Sequence, residues 1–290
     1  PLPGRLTLFL MGLAERLAQL LRLPRLLWRT ARNLLAVLRR RRAPGANPPR
    51  PVVDAPPTLF NRSLTADRSF ATASIPFDRV RTVKAALGVT VNDALLAMVT
   101  GALRAYLEGR DDLPDQPLVA GVPVSTDRPD DVRRLGGNKV SNLFTILPTE
   151  DPDPASRVRR IHEVTREAKV VQNLLGVDML AEWSAFTGRP YGWLIRQYTR
   201  SGVADHSRPM INLVVSNVAG PRQQLFVAGA RIDAIYSVGP ILESVGLNLT
   251  AWSYGDRLNV GVLACRDQVP DAHRIAEGLE TALEELEALP

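Results

Sequence analysis

After residue 57, apolar residues recur at strand spacing in some segments and at helical spacing in others. Alternation or short apolar runs predict strands over residues 69–77, 118–124, 140–147, 211–216, 224–236, 245–252 and 258–265. Helical spacing predicts helices over residues 78–87, 90–107, 157–175, 179–200 and 271–289. Runs of consecutive strands between helices indicate a layered α/β domain rather than a regular doubly wound one.

The first 42 residues have a different pattern, in which leucines recur at helical spacing with arginines between them. Pro24 is expected to kink this helix or to split it in two. The longest run without a charge, residues 6–14, is far shorter than the roughly 20 residues that a membrane-spanning helix needs. The segment therefore cannot cross a bilayer, although a basic amphipathic helix is suited to lying on one.

Charge separates this arm from the rest of the chain. The net charge is +6, but residues 1–42 hold ten Arg and one Glu, or +9, which leaves −3 for residues 43–290. No aromatic platform or zinc motif accompanies the arginines, so nucleic acid is not an expected partner. The arm is predicted either to bind an anionic lipid surface or to be a connector packed on its own protein.

Seven prolines and glycines between residues 43 and 57 predict a linker. The chain is thus divided into a basic helical arm (1–42), a linker (43–57) and a domain (58–290). Cys265 is the only cysteine and lies in an alternating apolar run, which predicts a small buried thiol, no intrachain disulfide and a reducing, cytoplasmic location.

Common catalytic signatures are absent from the sequence, and no spacing suggests a metal site. The three histidines are far apart: His162 and His273 fall in charged helical stretches and are expected to be solvated, whereas the loop position of His206 leaves its role open.

Three polar segments stand out. In the first, Thr90 and Asp93 are spaced as a capping box at a helix start, which leaves Asn92 without an evident structural reason. The second contains Ser125, with Asn138 soon after it. The third is a predicted strand that ends in a turn with Ser216 and Asn217 at its exit.

These segments resemble the wax ester synthase and diacylglycerol acyltransferase family. The shared motifs, in order, are Val-Asn-Asp at 91–93, Pro-Val-Ser at 123–125, Gly-Asn at 137–138, Leu-Pro-Thr at 147–149, Ser-Asn-Val-x-Gly-Pro at 216–221, Gly-Leu-Asn-Leu-Thr at 246–250 with Ser-Tyr at 253–254, and Val-Pro-Asp at 269–271. The resemblance covers nearly all of residues 57–290. One departure is Ala219, where the family usually has proline.

The resemblance implies a fold like that of chloramphenicol acetyltransferase and condensation domains, with two similar α/β halves around a tunnel. It also implies fatty acyl transfer from coenzyme A to diacylglycerol or a long-chain alcohol, with acyl-CoA as a substrate and no further cofactor. The family's catalytic His-His-x-x-x-Asp-Gly motif lies in an N-terminal half, and this sequence has no adjacent histidines. Since an alcohol attacks a thioester usefully only when a base takes its proton, the chain alone is expected to be inactive and to need that half as a partner.

On this interpretation the chain supplies one wall of the tunnel and part of the coenzyme A site. Asn92 is the leading candidate for a group that positions the base or supports the oxyanion. Ser216 and Asn217 follow, then Ser125 and Asn138, as substrate-binding residues. For each, a loop or cap hydrogen bond is the alternative role.

Two other functions stay open: a noncatalytic module that binds membranes or lipid droplets through its arm, and condensation-type acyl transfer to another acceptor. The expected location is cytoplasmic, peripheral on the inner face of the membrane or on lipid inclusions.

Overall fold

A computed structural model of the chain describes residues 4–43, 55–125, 140–176, 183, 192–194 and 196–290. Its elements, in order, are α1 (Arg5–Arg41), β1 (Arg68–Pro76), α2 (Phe77–Ala86), α3 (Val91–Glu108), β2 (Leu118–Ser125), β3 (Val140–Leu147), α4 (Pro154–Leu175), β4 (Leu213–Val218), β5 (Phe226–Val227), β6 (Ala230–Arg231), β7 (Leu247–Tyr254), β8 (Arg257–Cys265) and α5 (Ala272–Glu287). Most of the predicted linker lies outside the described residues. So does most of the predicted helix 179–200, of which the structure describes residues 183, 192–194 and 196–200 as helical.

Six of the strands form one mixed sheet in the order β1-β8-β7-β4-β2-β3. The central strand β4 runs parallel to both of its neighbours, β7 and β2, whereas the outer pairs are antiparallel. A mixed sheet with helices packed on it confirms the predicted layered α/β architecture.

One face of this sheet is buried against helices. Alternate strand residues such as Val215, Leu249 and Val262 belong to the same apolar core as the buried faces of α3 and α5. The two helices approach each other closely at Gly101, where a Cβ atom would lie only 2.7 Å from the Cβ of Ala282. A side chain at position 101 would therefore force the helices apart.

A buried amide cluster holds the start of the domain to the middle of the sheet. The Asn212 amide donates to the carbonyl oxygen of Pro56 and to Oδ1 of Asn61, and its own Oδ1 accepts from the Val119 backbone N–H. Asn61 in turn donates to the Ser244 carbonyl oxygen. Since both side chains are buried, these bonds satisfy polar groups that would otherwise be costly.

The strand predicted over residues 224–236 is wrong. Only two short strands form there, β5 and β6, and Ala228 and Gly229 adopt positive φ angles of 50° and 83° that turn the chain back between them. Residues 232–236 belong to no strand, so the apolar spacing predicted a strand that is too long.

Of the two outcomes expected at Pro24, the split into two helices is wrong, because α1 continues through this residue as one 37-residue helix. The C-terminal part of α1 packs on α4: Arg40 forms a two-bonded ion pair with Glu167, at 2.7 and 2.8 Å, and Asn33 donates to the Leu175 carbonyl oxygen. A proline removes only one backbone donor from the helix, and these contacts hold the segment that follows it.

The N-terminal part of α1 is exposed, with large apolar side chains in solvent at Leu6, Leu8, Phe9, Leu10, Met11, Leu13, Leu17, Leu20 and Leu21. No single helix among the described residues is both long and apolar enough to cross a membrane; α2 and α3 meet that measure only as a pair, bent by 102°.

Candidate functional site

The face of the sheet opposite α3 and α5 borders a cavity of about 950 Å³. Its wall consists mainly of alternate strand residues that point away from the core, the end of β4 and the loop around residue 239. The lining residues are Gly121, Pro123, Ser125, Val140, Asn142, Phe144, Ile211, Val214, Ser216, Asn217, Val218, Ala219, Ser237, Val238, Gly239, Pro240, Leu242, Asn248, Thr250 and Trp252. None of these side chains is an acid, a base or a thiol. The described residues of the cavity can therefore bind and orient a ligand by hydrogen bonds and apolar contact, but none of them offers a group for proton transfer near neutral pH.

The structure brings three of the candidate site residues to this cavity. Ser125 lies at the end of β2, and Ser216 and Asn217 lie near the end of β4. Ser216 is paired with Thr250 on β7 and shares its face, whereas Asn217, the next residue along the strand, points toward the side on which the helices pack and also borders a second, smaller cavity. Asn138 lies outside the described residues.

Sequence reasoning missed Asn248 and Thr250, which hold the loop around residue 239 over part of the open face. The Asn248 amide donates to the Pro240 carbonyl oxygen at 3.0 Å, and the Thr250 hydroxyl donates to Oδ1 of Asn248 at 2.8 Å. Gly239 passes so close to Asn248 that a Cβ atom would lie 2.4 Å from its side chain. A signal was present, since the polar residues Asn248 and Thr250 alternate with Leu247 and Leu249 in the first half of β7, where all residues are buried.

The turn after β4 packs directly on β7. The Gly220 N–H donates to the Ser253 hydroxyl at 3.1 Å, and a Cβ atom at Gly220 would lie 2.0 Å from the Ser253 carbonyl oxygen. Only glycine fits so close an approach. That Cβ atom would also lie 2.1 Å from the indole nitrogen of Trp252. This nitrogen is a buried donor and has no acceptor among the described residues.

The start of α3 has the predicted capping box. The Asp93 N–H donates to the Thr90 hydroxyl at 3.1 Å, and the Thr90 N–H donates to the Asp93 carboxylate at 3.0 Å. Asn92 is half-buried in this first turn, and its side chain makes no hydrogen bond to any described residue. It borders neither of the two cavities, although its neighbour Val91 lines the smaller one.

The carboxylate of Asp93 is buried and holds α3 to α4. Nδ1 of His162 lies 2.9 Å from Asp93 Oδ2, and the Thr165 hydroxyl donates to Oδ1 at 2.7 Å. Burial alone would raise the pKa of Asp93, but the bonds from His162, Thr165 and Thr90 outweigh it and hold the pKa below its ordinary value.

The expectation that His162 is a solvated residue is therefore wrong, because its ring is half-buried against a partner on another helix. His273 is exposed, as expected, and His206, also exposed, lies 3.2 Å from the Gly202 carbonyl oxygen. None of the three lines the large cavity.

Two family models match the sequence. The model described as the wax ester synthase/diacylglycerol acyltransferase catalytic domain matches residues 3–95, and the model of the WS/DGAT C-terminal domain matches residues 136–287. Together they include the arm, the first part of the sheet and most of the cavity wall.

Similar proteins include two from Mycobacterium tuberculosis strain H37Rv that are named provisionally as diacylglycerol O-acyltransferases. One is 36% identical over 286 residues, which cover 96% of this chain and 58% of the relative. The other is 41% identical over 235 residues, covering 80% of this chain and 51% of the relative. The chain thus spans between half and three-fifths of the length of these relatives.

Among solved structures, the wax ester synthase/diacylglycerol acyltransferase from Marinobacter aquaeolei VT8 is similar, with a TM-score of 0.65 and 32% identity over 81% of this chain and 52% of that one. A cyclization-docking bidomain of a nonribosomal peptide synthetase from Sorangium cellulosum has a TM-score of 0.53 at 14% identity, over 90% of this chain and 49% of that one. The second similarity concerns the fold alone.

The Asp93 cluster leads to a prediction about acid stability. Because the pKa of Asp93 is lowered in the folded state, its stabilisation should be complete above the ordinary pKa of 3.8 and should be lost as the pH falls through the lower, folded value. Asp93→Asn should reduce the free energy of unfolding at pH 7 by about 1.5–3 kcal/mol, the contribution of hydrogen bonds to a charged group.

Urea denaturation at pH 7 and at pH 3 would measure this effect. The difference between Asp93→Asn and the unmodified chain should shrink at the lower pH, whereas the exposed Asp78, changed to Asn, should have little effect at either. An equal difference for Asp93→Asn at both pH values would contradict the assigned role of its charge.

Proposed function

Because the chain belongs to the wax ester synthase/diacylglycerol acyltransferase family, we propose that it forms one wall of the active site of an acyl-CoA-dependent O-acyltransferase. The substrates would be a fatty acyl-CoA and either diacylglycerol or a long-chain alcohol. The base that takes the acceptor's proton would be a histidine of a further N-terminal half, which would close over the open face of the sheet. Family membership indicates acyl transfer for this region, and the substrates and the base are proposed for the complete enzyme.

The observation that carries the proposal is the character of the large cavity. It lies on the sheet face that the described helices leave open, and the described residues that border it are neutral polar or apolar, with no acid, base or thiol among them. Such a surface is suited to aligning a thioester and an acceptor with alkyl chains. Proton transfer would then need a residue from outside this wall.

Within this wall, Ser125, Ser216 and Asn217 would bind substrate, and Asn138 would join them from the neighbouring segment. Asn92 would support the reaction from the first turn of α3, by positioning the base or by donating to the oxyanion. Two facts favour this role: its amide is unpaired among the described residues, and Thr90 and Asp93 already cap the helix.

The first test of the proposal is reconstitution. Purified chain, its single-chain mass verified by mass spectrometry, should release no thiol from acyl-CoA in the presence of diacylglycerol. Co-expression with a family N-terminal half that carries the histidine pair should restore thiol release. Sustained turnover by the chain alone would contradict the assignment of the base to another part of the enzyme.

Asn92→Ala, made in the complete enzyme, should lower turnover roughly 100-fold to 1,000-fold, the usual effect of losing one oxyanion donor, with little change in the melting temperature. Steady-state kinetics at saturating acyl-CoA and a thermal melt on the same preparation would measure both. Asp93→Ala is the matched control one residue away, and it should mainly destabilise the protein. If Asn92→Ala lowers the melting temperature by several degrees and hardly changes turnover, Asn92 has only a structural role.

A second proposal concerns α1, which we infer to bind an anionic lipid surface such as a membrane or an oil droplet. Its N-terminal part exposes leucines among arginines, and Trp28 is exposed further along the helix. The match of residues 3–95 to the catalytic-domain model supports the other possibility, in which the rest of that domain covers these leucines.

Replacing Leu10, Leu13 and Leu17 by Ser should separate these possibilities in co-sedimentation with phosphatidylserine-containing vesicles. The unmodified chain should bind more strongly than the triple variant, because three of the nine large apolar side chains exposed on the N-terminal part of α1 would be lost. The control is Val140→Ser, at an exposed residue of β3, which should bind vesicles as the unmodified chain does. Leu286 is buried, so Leu286→Ser would not serve as a control. Binding by the chain but not by the reconstituted enzyme would show that α1 is covered by protein.

A further inference from the structure

A second cavity, of about 320 Å³, lies where α2, the start of α3 and the turn after β4 meet. It is lined by Phe77, Arg81, Val91, Asn217, Ala219, Gly220, Pro221, Arg222, Ser253 and Gly255. Asn217 and Ala219 also line the large cavity, so the two spaces adjoin each other at the end of β4.

Two arginines line this small cavity, and neither has an acidic partner among the described residues. Arg81 lies over the ring of Phe77, with its guanidinium carbon 4.5 Å from the ring centre. Within the described part of the chain, neither Arg81 nor Arg222 takes part in an ion pair or a side-chain hydrogen bond. Arg79, two residues before Arg81 on the same helix, is by contrast paired with Glu287 and Glu280.

The remaining wall is also suited to an anion. No Asp or Glu is among the lining residues, and the Asn217 amide adds a neutral donor. The wall includes Val91, the first residue of the 18-residue helix α3, at the end of a helix that carries a partial positive charge. The Asp93 carboxylate nearby is buried and already bonded to α4.

The junction of the two cavities has one more unsatisfied donor. The indole N–H of Trp252 is buried beside Gly220 and, among the described residues, has no acceptor. A buried donor of this kind is costly unless a ligand or another group supplies an acceptor. Since Trp252 lines the large cavity and not the small one, this donor is not part of the arginine site.

We propose that the small cavity binds the phosphate groups of the acyl donor through Arg81 and Arg222. The rest of the donor would pass the end of β4 and would place its acyl end in the large cavity. A planar guanidinium group can donate two parallel hydrogen bonds to one phosphate, whereas an ammonium group acts as a point charge. Arginine is therefore better suited to this role than lysine. This inference rests on the proposed function for the identity of the donor as a coenzyme A thioester, whereas phosphate binding follows from the cavity itself.

Isothermal titration of the chain with coenzyme A would test the proposal. Arg81→Gln and Arg222→Gln should each weaken binding about tenfold to a hundredfold, since each removes charge-assisted hydrogen bonds. Binding to the unmodified chain should weaken with added salt. Arg159→Gln removes the same charge from an exposed position on α4 and should bind as the unmodified chain does. Unchanged melting temperatures would show that the variants are folded.

Two further ligands separate the sources of phosphate. If dephospho-coenzyme A binds weakly and its binding is unaffected by the arginine substitutions, the 3′-phosphate occupies the cavity. If it binds well and the substitutions still weaken its binding, the diphosphate occupies the cavity. Short-chain phosphatidic acid that binds through both arginines, when coenzyme A does not bind, would keep the phosphate site and overturn the proposed acyl donor.

Two results would overturn the phosphate site. Coenzyme A that binds all variants equally would leave the acyl-donor assignment intact and place its phosphates elsewhere. Failure of coenzyme A, dephospho-coenzyme A and phosphatidic acid to bind the folded chain would remove the site altogether.

Discussion

The burial of one face of the six-stranded sheet under α3 and α5 is the constraint on which the rest of the domain depends. Successive side chains of a strand point to opposite faces, so placing Leu247, Leu249 and Ala251 in the core puts Asn248 and Thr250 on the other side. A shift of register by one residue would exchange the two sets. The apolar core and the polar wall of the large cavity are therefore consequences of the same pairing.

The open face underlies the proposal that this region works together with another part of an enzyme. The loop over it is held by Asn248, and no described residue of its lining titrates near neutral pH. A surface of this kind aligns ligands, whereas the chemistry of acyl transfer to an alcohol also needs a base. The family to which the chain belongs accounts for both features if a second half supplies that base.

The start of α3 connects stability with the two candidate sites. Asp93 caps the helix and, through His162 and Thr165, fixes it to α4, so the first turn is held in place from two directions. That turn presents Val91 to the small cavity and leaves the Asn92 amide unpaired among the described residues. A rigid helix start with an available amide is the kind of support that a preorganised site requires.

The sequence alone determined the features that depend on neighbours a few residues apart. The capping box of Thr90 and Asp93, most strand and helix positions and the exit of β4 follow from local spacing, and the ordered motifs identified the family. Contacts between distant segments were decided only by the tertiary structure. Asp93 meets His162 because α3 packs on α4, and Arg81 and Arg222 line one cavity because the turn after β4 folds beside α2. Local rules also failed over residues 224–236, where two positive φ angles turn the chain, and the helix was not split at Pro24, where packing holds the residues that follow it.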